Sequence, residues 1–268
     1  MNYNLNEEDK NYLNKYSIDN FSRPSLTTDL VVFSVSKPKY IKKSVEKGKL
    51  KVLLVKRDHS PFKGLYALPG GFCVPDEDVD VTAKRLLKEE TNAFISNIEI
   101  SGVYGSCNRD PRGWIISNSF LCLTEINKVD LRIDKWETKW FDVDLNIKDN
   151  RYYMTLTNNE LVFNNTLELI DNKFKIIQSD ISFDHACIIL DNLIKLSKKV
   201  LDNYKLAFDV LESEFTLFEF QDACEKLTLR QFITSNFRRD IKNIVVETNK
   251  TKTLGQFRPS KLYKRIEG

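Results

Sequence analysis

Leu68-Pro69-Gly70-Gly71-Phe72, then Glu77, then Arg85-Leu86-Leu87-Lys88-Glu89-Glu90-Thr91-Asn92 is the stretch on which the reading of this chain turns. Val79 to Thr91 has helical spacing, so a helix is expected there. On it, positions 86, 89 and 90 lie three and four apart and share one face. Arg85 and Glu89 are i, i+4 neighbours, which lets the guanidinium brace the carboxylate. Around the helix, Asp29 to Ser36, Val52 to Arg57, Trp114 to Leu123 and Trp136 to Phe141 read as strands, giving a mixed α/β domain. Asn158-Asn159, Asn164-Asn165 and Asp171-Asn172 read as turns between short hydrophobic runs, because Asn and Asp tolerate positive φ. Residues 150 to 180 are therefore expected to add two hairpins or a small sheet extension.

Beyond Asp184 the apolar residues Ile189, Leu190, Leu193, Ile194, Leu196, Val200 and Leu201 recur at three- and four-residue steps, predicting a long connector helix to about Tyr204. Thr216-Leu217-Phe218-Glu219 has the form of a capping box opening a further helix, and Ser235 is expected to cap another through about Asn243. Ile244 to Glu247 and Leu262 to Lys264 read as strands around a basic loop. Helix, turn, helix and hairpin is a winged helix-turn-helix plan. Charge agrees with it: from residue 226 onward eleven Lys and Arg face three acids, a net +8, while the other residues sum to −5 within an overall +3. An acidic body with a basic end points to a polyanionic partner.

The stretch that opens this section resembles the Nudix box, in which a Gly, a Glu and an Arg-Glu-aliphatic-x-Glu-Glu run follow at fixed spacing. Gly71, Glu77, Arg85, Leu87, Glu89 and Glu90 match; Leu86 replaces a Glu, Asn92 a Gly and Ala93 an aliphatic residue, so six of nine positions agree. Arg57, Pro61-Phe62, Gly64 and Tyr66-Ala67 extend the match upstream. Nudix hydrolases split a diphosphate linked to another moiety, with Mg²⁺ held by carboxylates, phosphates and waters. The resemblance implies that the Glu replaced by Leu86 is a key metal ligand. Leu has no oxygen, so metal binding is expected to be weak, at Glu89 and Glu90, and hydrolysis slow or absent. Partial recovery is expected in Leu86→Glu.

Asn108-Arg109-Asp110-Pro111-Arg112-Gly113-Trp114 carries two guanidinium groups and an indole. Arg forks suit diphosphate oxygens, and an aromatic face suits a base or ribose. This run, the degenerate box and a C-terminal winged helix together resemble the Nudix-related transcriptional regulators, over roughly residues 24 to 263. Ser235-Asn236-Phe237-Arg238-Arg239 matches that family's reading helix, and Leu254 to Tyr263 its wing, with extra residues between Gly255 and Arg258. The resemblance implies a domain that senses ADP-ribose or a related nucleoside diphosphate-sugar, and a winged helix that binds double-stranded operator DNA.

Other classes are excluded by composition. At 41% hydrophobic and 29% charged, the 268-residue chain is that of a folded protein. With a polar N-terminal stretch and no 18-residue apolar run, neither a secretion signal nor a membrane span is expected, and the expected location is the cytoplasm. Cys73, Cys107, Cys122, Cys187 and Cys224 are odd in number and never at C-x-x-C spacing, arguing against disulfides and structural zinc; they are expected to be small buried hydrophobes.

The expected architecture is therefore α+β: an N-terminal extension (1–24), a Nudix-like mixed sheet (25–182), a connector helix (183–205) and a winged helix (206–268). Arg57, Arg109 and Arg112 are expected to converge on the diphosphate, with Phe72 or Trp114 supplying apolar contact. Asn236 and Arg239 are expected to read base edges and Arg238, Lys242, Lys261 and Lys264 to meet phosphates, with Arg258 a further DNA-binding residue. No catalytic group is expected at the degenerate positions Glu77, Arg85, Leu86, Glu89 and Glu90. No cofactor is expected to be required, and a homodimer is expected. Two rivals stand beside this repressor reading: an active ADP-ribose pyrophosphatase with an accessory domain, and a winged helix that binds protein.

Overall fold

The computed structural model describes residues 3–42, 44–92, 95, 97–131, 137–253 and 255–266. Ala93, Trp136 and Leu254, named above, lie outside them. In chain order the elements are α1 (Glu7–Lys15), β1 (Ser25–Val35), β2 (Lys39–Ile41), β3 (Ser44–Glu46), β4 (Leu50–Lys56), β5 (Tyr66–Ala67), β6 (Gly70–Phe72), α2 (Val79–Thr91), β7 (Ile98–Tyr104), β8 (Ile115–Leu123), β9 (Thr138–Lys148), β10 (Arg151–Thr157), β11 (Val162–Ile170), β12 (Lys173–Ser179), α3 (His185–Asp202), α4 (Leu217–Thr228), α5 (Thr234–Asp240), β13 (Val245–Lys252) and β14 (Ser260–Arg265).

The apolar run Leu30-Val31-Val32-Phe33 is wholly buried because β1 lies inside a mixed sheet of order β12-β11-β10-β9-β4-β1-β8-β7 with a layer on each face. Only β1 and β8 run parallel along this path. Alternation sorts the side chains: Leu30 and Val32 pack with Ala83, Leu86 and Leu87 of α2, whereas Val31 and Phe33 face α3. α2 has the limits read from its periodicity. Its C-cap, Asn92, is left-handed at φ 48°, the conformation that favours Gly at this motif position and that Asn tolerates.

The connector helix packs against both the sheet and the winged helix. Ile188, Ile189, Leu193 and Leu196 of α3 belong to one continuous core with Val31 and Phe33 of the sheet and with Phe220, Leu227, Phe237 and Ile241 of the winged helix. The capping box at Thr216 and Glu219 opens α4 as expected, each side chain accepting the other's backbone N–H. Ser235 does not cap α5; that position is Ile233, and the helix ends at Asp240. Asn164-Asn165 is not a turn but part of β11, where buried Asn165 donates to Met154 O and accepts from Ser179 Oγ. Asp171 and Asn172 do form the β11–β12 turn, both at positive φ.

The wing insertion has a partner. Gln256 N–H donates to Lys42 O at 3.4 Å, and the Phe257 ring stands 6.2 Å from Tyr40 of β2, edge to face. Nearby, Gly48 N–H donates to Asp222 of α4 at 2.6 Å. The segment between β1 and β4 thus touches both the wing and α4.

Candidate functional site: an arginine pair and a basic helix

The glycine pair lays β6 against β1. A Cβ at Gly70 would stand 2.3 Å from Thr28 O, so only Gly permits the approach. The Gly70 N–H then donates to Glu90 Oε2 at 3.1 Å, fixing the end of α2 beneath the loop. Arg85 grips Glu77 through two nitrogens, at 2.9 and 3.0 Å, and reaches Glu89 only at 3.5 Å. Its chief partner is therefore Glu77, eight residues away, whose carboxyl it holds below the usual range. Leu86 is buried in the α2 core, one Cδ lying 3.0 Å from the place a Cβ on Gly71 would occupy.

Arg57 and Arg112 come together over Phe183, their guanidinium carbons 4.8 and 5.2 Å from its ring centre, and Arg112 also lies 5.0 Å from the Phe72 ring. Burial, and then the neighbouring Arg112, push the Arg57 pKa down. Two guanidinium groups thus lie together on aromatic rings, Arg112 being paired with Asp110. Arg112 is oriented by Asp110 at 2.7 and 2.9 Å. Arg109 does not join them. Its side chain is 4% exposed and forks onto Asp184 at 2.6 and 2.8 Å, with Asp29 at 3.6 Å, so it locks the start of α3 instead. Trp114 is exposed, and the ring beneath both arginines is Phe183, which the sequence reading missed. Phe183 has φ 54° and sits two residues before α3, a position with no periodicity to flag it.

His185, the first residue of α3, accepts the Leu68 N–H on Nδ1 at 2.9 Å, and its Nε2 faces Asp29 at 3.6 Å. Burial lowers its pKa, and a ring that accepts on Nδ1 is neutral. The glycine loop and the connector helix are thus joined by one hydrogen bond.

At the other end, Phe237 buries α5 against Phe220 and Phe232 while Asn236, Arg238, Arg239 and Lys242 stay exposed. Arg258, Lys261 and Lys264 are exposed on and beside the wing. Lys261 is held by Glu247 at 2.8 Å and Arg239 reaches Asp240 at 3.3 Å. Among the described residues Arg238, Lys242, Arg258 and Lys264 form no ion pair.

Residues 207–265 match the family model of the NrtR DNA-binding winged helix domain, and residues 44–157 that of the NUDIX domain. The chain thus carries, in this order, a match to a NUDIX domain and a match to an NrtR-type winged helix. It is 26% identical to the ADPR responsive transcriptional repressor NtrR of Acinetobacter baylyi, over 94% of this chain and 86% of that one. Over 94 residues, 35% of this chain and 56% of the relative, it is 40% identical to an ADP-ribose pyrophosphatase of Methanocaldococcus jannaschii. A crystal structure of Shewanella oneidensis NrtR complexed with a 27mer DNA superposes with a TM-score of 0.64 at 27% identity, covering 90% of this chain and 93% of that one.

The carboxylates on and beside α2, where the Nudix pattern places its Mg²⁺ ligands, are differently engaged. Glu77, just before α2, is held by Arg85, Glu90 accepts the Gly70 N–H, Glu89 is exposed and meets Arg85 only at 3.5 Å, and Leu86 stands where the Nudix pattern has a Glu. Among the described residues no three His, Cys, Asp or Glu side chains group closely enough to hold a metal ion. Three cysteines, Cys122, Cys187 and Cys224, are buried as expected; Cys73 is half-buried, and Cys107 corrects the expectation by being exposed. Among the described residues no helix is long and apolar enough to cross a membrane.

Proposed function

We propose that the chain is a cytoplasmic, ligand-responsive transcriptional repressor, whose Nudix domain binds ADP-ribose or a similar nucleoside diphosphate-sugar without needing Mg²⁺ and does not hydrolyse it. The observation that carries the reading is the place of the arginine pair: Arg57 and Arg112 meet on Phe183, at the mouth of the helix whose far side shares a core with α5. A diphosphate drawn to the two guanidinium groups would press on Phe183, two residues before α3, and α3 would carry the change to α4 and α5. Two copies would place paired α5 helices in successive major grooves, roughly 34–36 Å apart. Asn236 and Arg239 would read bases, while Arg238, Lys242, Arg258, Lys261 and Lys264 neutralise phosphates. The A. baylyi relative's name and the DNA-bound S. oneidensis structure support both partners.

Active hydrolysis is the second reading, favoured by Glu77, Arg85, Glu89 and Glu90 and by the likeness to a pyrophosphatase. Calorimetry and a phosphate-release assay separate them. The unmodified protein is expected to bind ADP-ribose with negligible Mg²⁺-dependent turnover. Arg112→Ala should weaken binding by about 10- to 100-fold, the worth of one charge-assisted hydrogen bond pair. Ordinary turnover would establish the hydrolase, and unchanged affinity would place the diphosphate elsewhere.

A further inference from the structure

We propose that the large cavity beside the first turns of α3 takes the purine nucleoside end of the nucleotide whose diphosphate lies on Arg57 and Arg112; this rests on the binding reading above. The cavity measures about 920 Å³, at the upper end of small-molecule sites. Three elements wall it: the end of β7 and the loop after it (Tyr104, Cys107, Asn108), the start of β12 (Lys173, Phe174, Lys175), and α3 (Cys187, Asp191). Phe183 and Asp184 line it too. Phe183 is therefore common to the cavity and the arginine pair, and one molecule can span both.

The lining suits a base carried by an anionic ligand. Tyr104 and Phe174 supply aromatic surface, and Asn108 offers both a donor and an acceptor for a purine edge or a ribose hydroxyl. The Tyr104 hydroxyl donates to Asp191, and burial raises its pKa, so the ring stays neutral. The acids of the cavity are balanced: Asp184 by Arg109 at 2.6 Å and Asp191 by Lys195 at 2.8 Å. Lys173 and Lys175 form no ion pair among the described residues, which leaves the rim cationic. A ligand seated here touches α3 directly along Cys187 and Asp191, and so bears on the helix at two points, through Phe183 and through its side.

Cys107 makes the proposal readable, because it is exposed and lines the cavity. In the full chain, its alkylation by iodoacetamide is followed by peptide mass spectrometry with ADP-ribose, AMP or ribose 5-phosphate at saturation. ADP-ribose and AMP are expected to slow alkylation of Cys107 at least about 10-fold, and ribose 5-phosphate to leave it unchanged. The double variant Lys173→Glu, Lys175→Glu, altered only at exposed positions, should weaken ADP-ribose and AMP binding by roughly 10-fold. If ADP-ribose binds and Arg112→Ala weakens it, but Cys107 stays reactive and the lysine variant binds normally, the cavity proposal fails while the diphosphate reading stands. Protection by ribose 5-phosphate alone would put the other end of the ligand here and overturn it. If ADP-ribose does not bind at all, both fall.

Discussion

The helices α2 and α5 both carry runs of like charge, Glu89-Glu90 on one and Arg238-Arg239 on the other, yet their surroundings treat these differently. In α2 the charges close on their own chain: Arg85 is taken by Glu77, and the Glu90 carboxylate by the Gly70 N–H. In α5 a single buried ring, Phe237, holds the helix while Arg238 is left without an ion pair among the described residues. Charges that pair internally hold a loop in place; charges kept open are available to a partner of opposite sign. By this comparison the paired charges of α2 hold its loop, whereas α5 presents open cations on its surface.

The largest effect should come from removing what holds the open helix. Phe237→Ala is expected to cost about 3–5 kcal/mol of stability, because the ring is 1% exposed within the aromatic cluster of Tyr204, Phe220 and Phe232. Urea unfolding measures it, and a loss below about 1 kcal/mol would break the claim that this ring anchors α5.

Next come the open charges. Arg238→Ala should lower operator affinity and reduce the salt slope by about 0.9, the share of one phosphate, whereas Asn236→Ala should chiefly relax sequence preference. Lys261→Ala should do less than Arg238→Ala, since Glu247 already neutralises that lysine at 2.8 Å. Fluorescence anisotropy across a salt series reads all three. Equal effects at Arg238 and Lys261 would show that internal pairing makes no difference to DNA binding.

A smaller effect tests the joint between the two regions. Burial lowers the His185 pKa in the folded protein, so the unfolded chain binds the extra proton on acidification. Stability from this residue is then full above the unfolded value of about 6.5 and falls as pH drops below it, by at most about 1.4 kcal/mol per pH unit. Thermal unfolding between pH 7.5 and 5.5, a window of roughly one unit either side of that value, should show the decline in the unmodified protein and a flatter profile in His185→Gln. Equal slopes would mean that His185 is not held neutral.

How much of this was legible in the sequence depended on the range of the forces. α2, α3 and the capping box at Thr216 could be read because periodicity and caps act within a few residues. Asn165 could not, since its turn-like character is overridden by hydrogen bonds to Met154 and Ser179 on neighbouring strands. The same holds in the candidate site. Arg109 and Arg112 stand three apart and look alike as sequence, but Asp184, 75 residues on, claims the first and Asp110 orients the second. Phe183 gave no local sign, and it became the floor of the pocket only through the return of the chain before α3.

The central claim is that a nucleotide on Arg57 and Arg112 changes how α5 meets DNA. The direct measurement is anisotropy of the full chain on DNA from its own upstream region, with and without ADP-ribose, for the unmodified protein and for Arg112→Ala. ADP-ribose is expected to shift the apparent DNA affinity by about 5- to 150-fold in the unmodified protein, the usual range for coupled sites. At the same concentration it should shift Arg112→Ala far less. DNA binding that is tight but identical with and without the nucleotide would contradict the account.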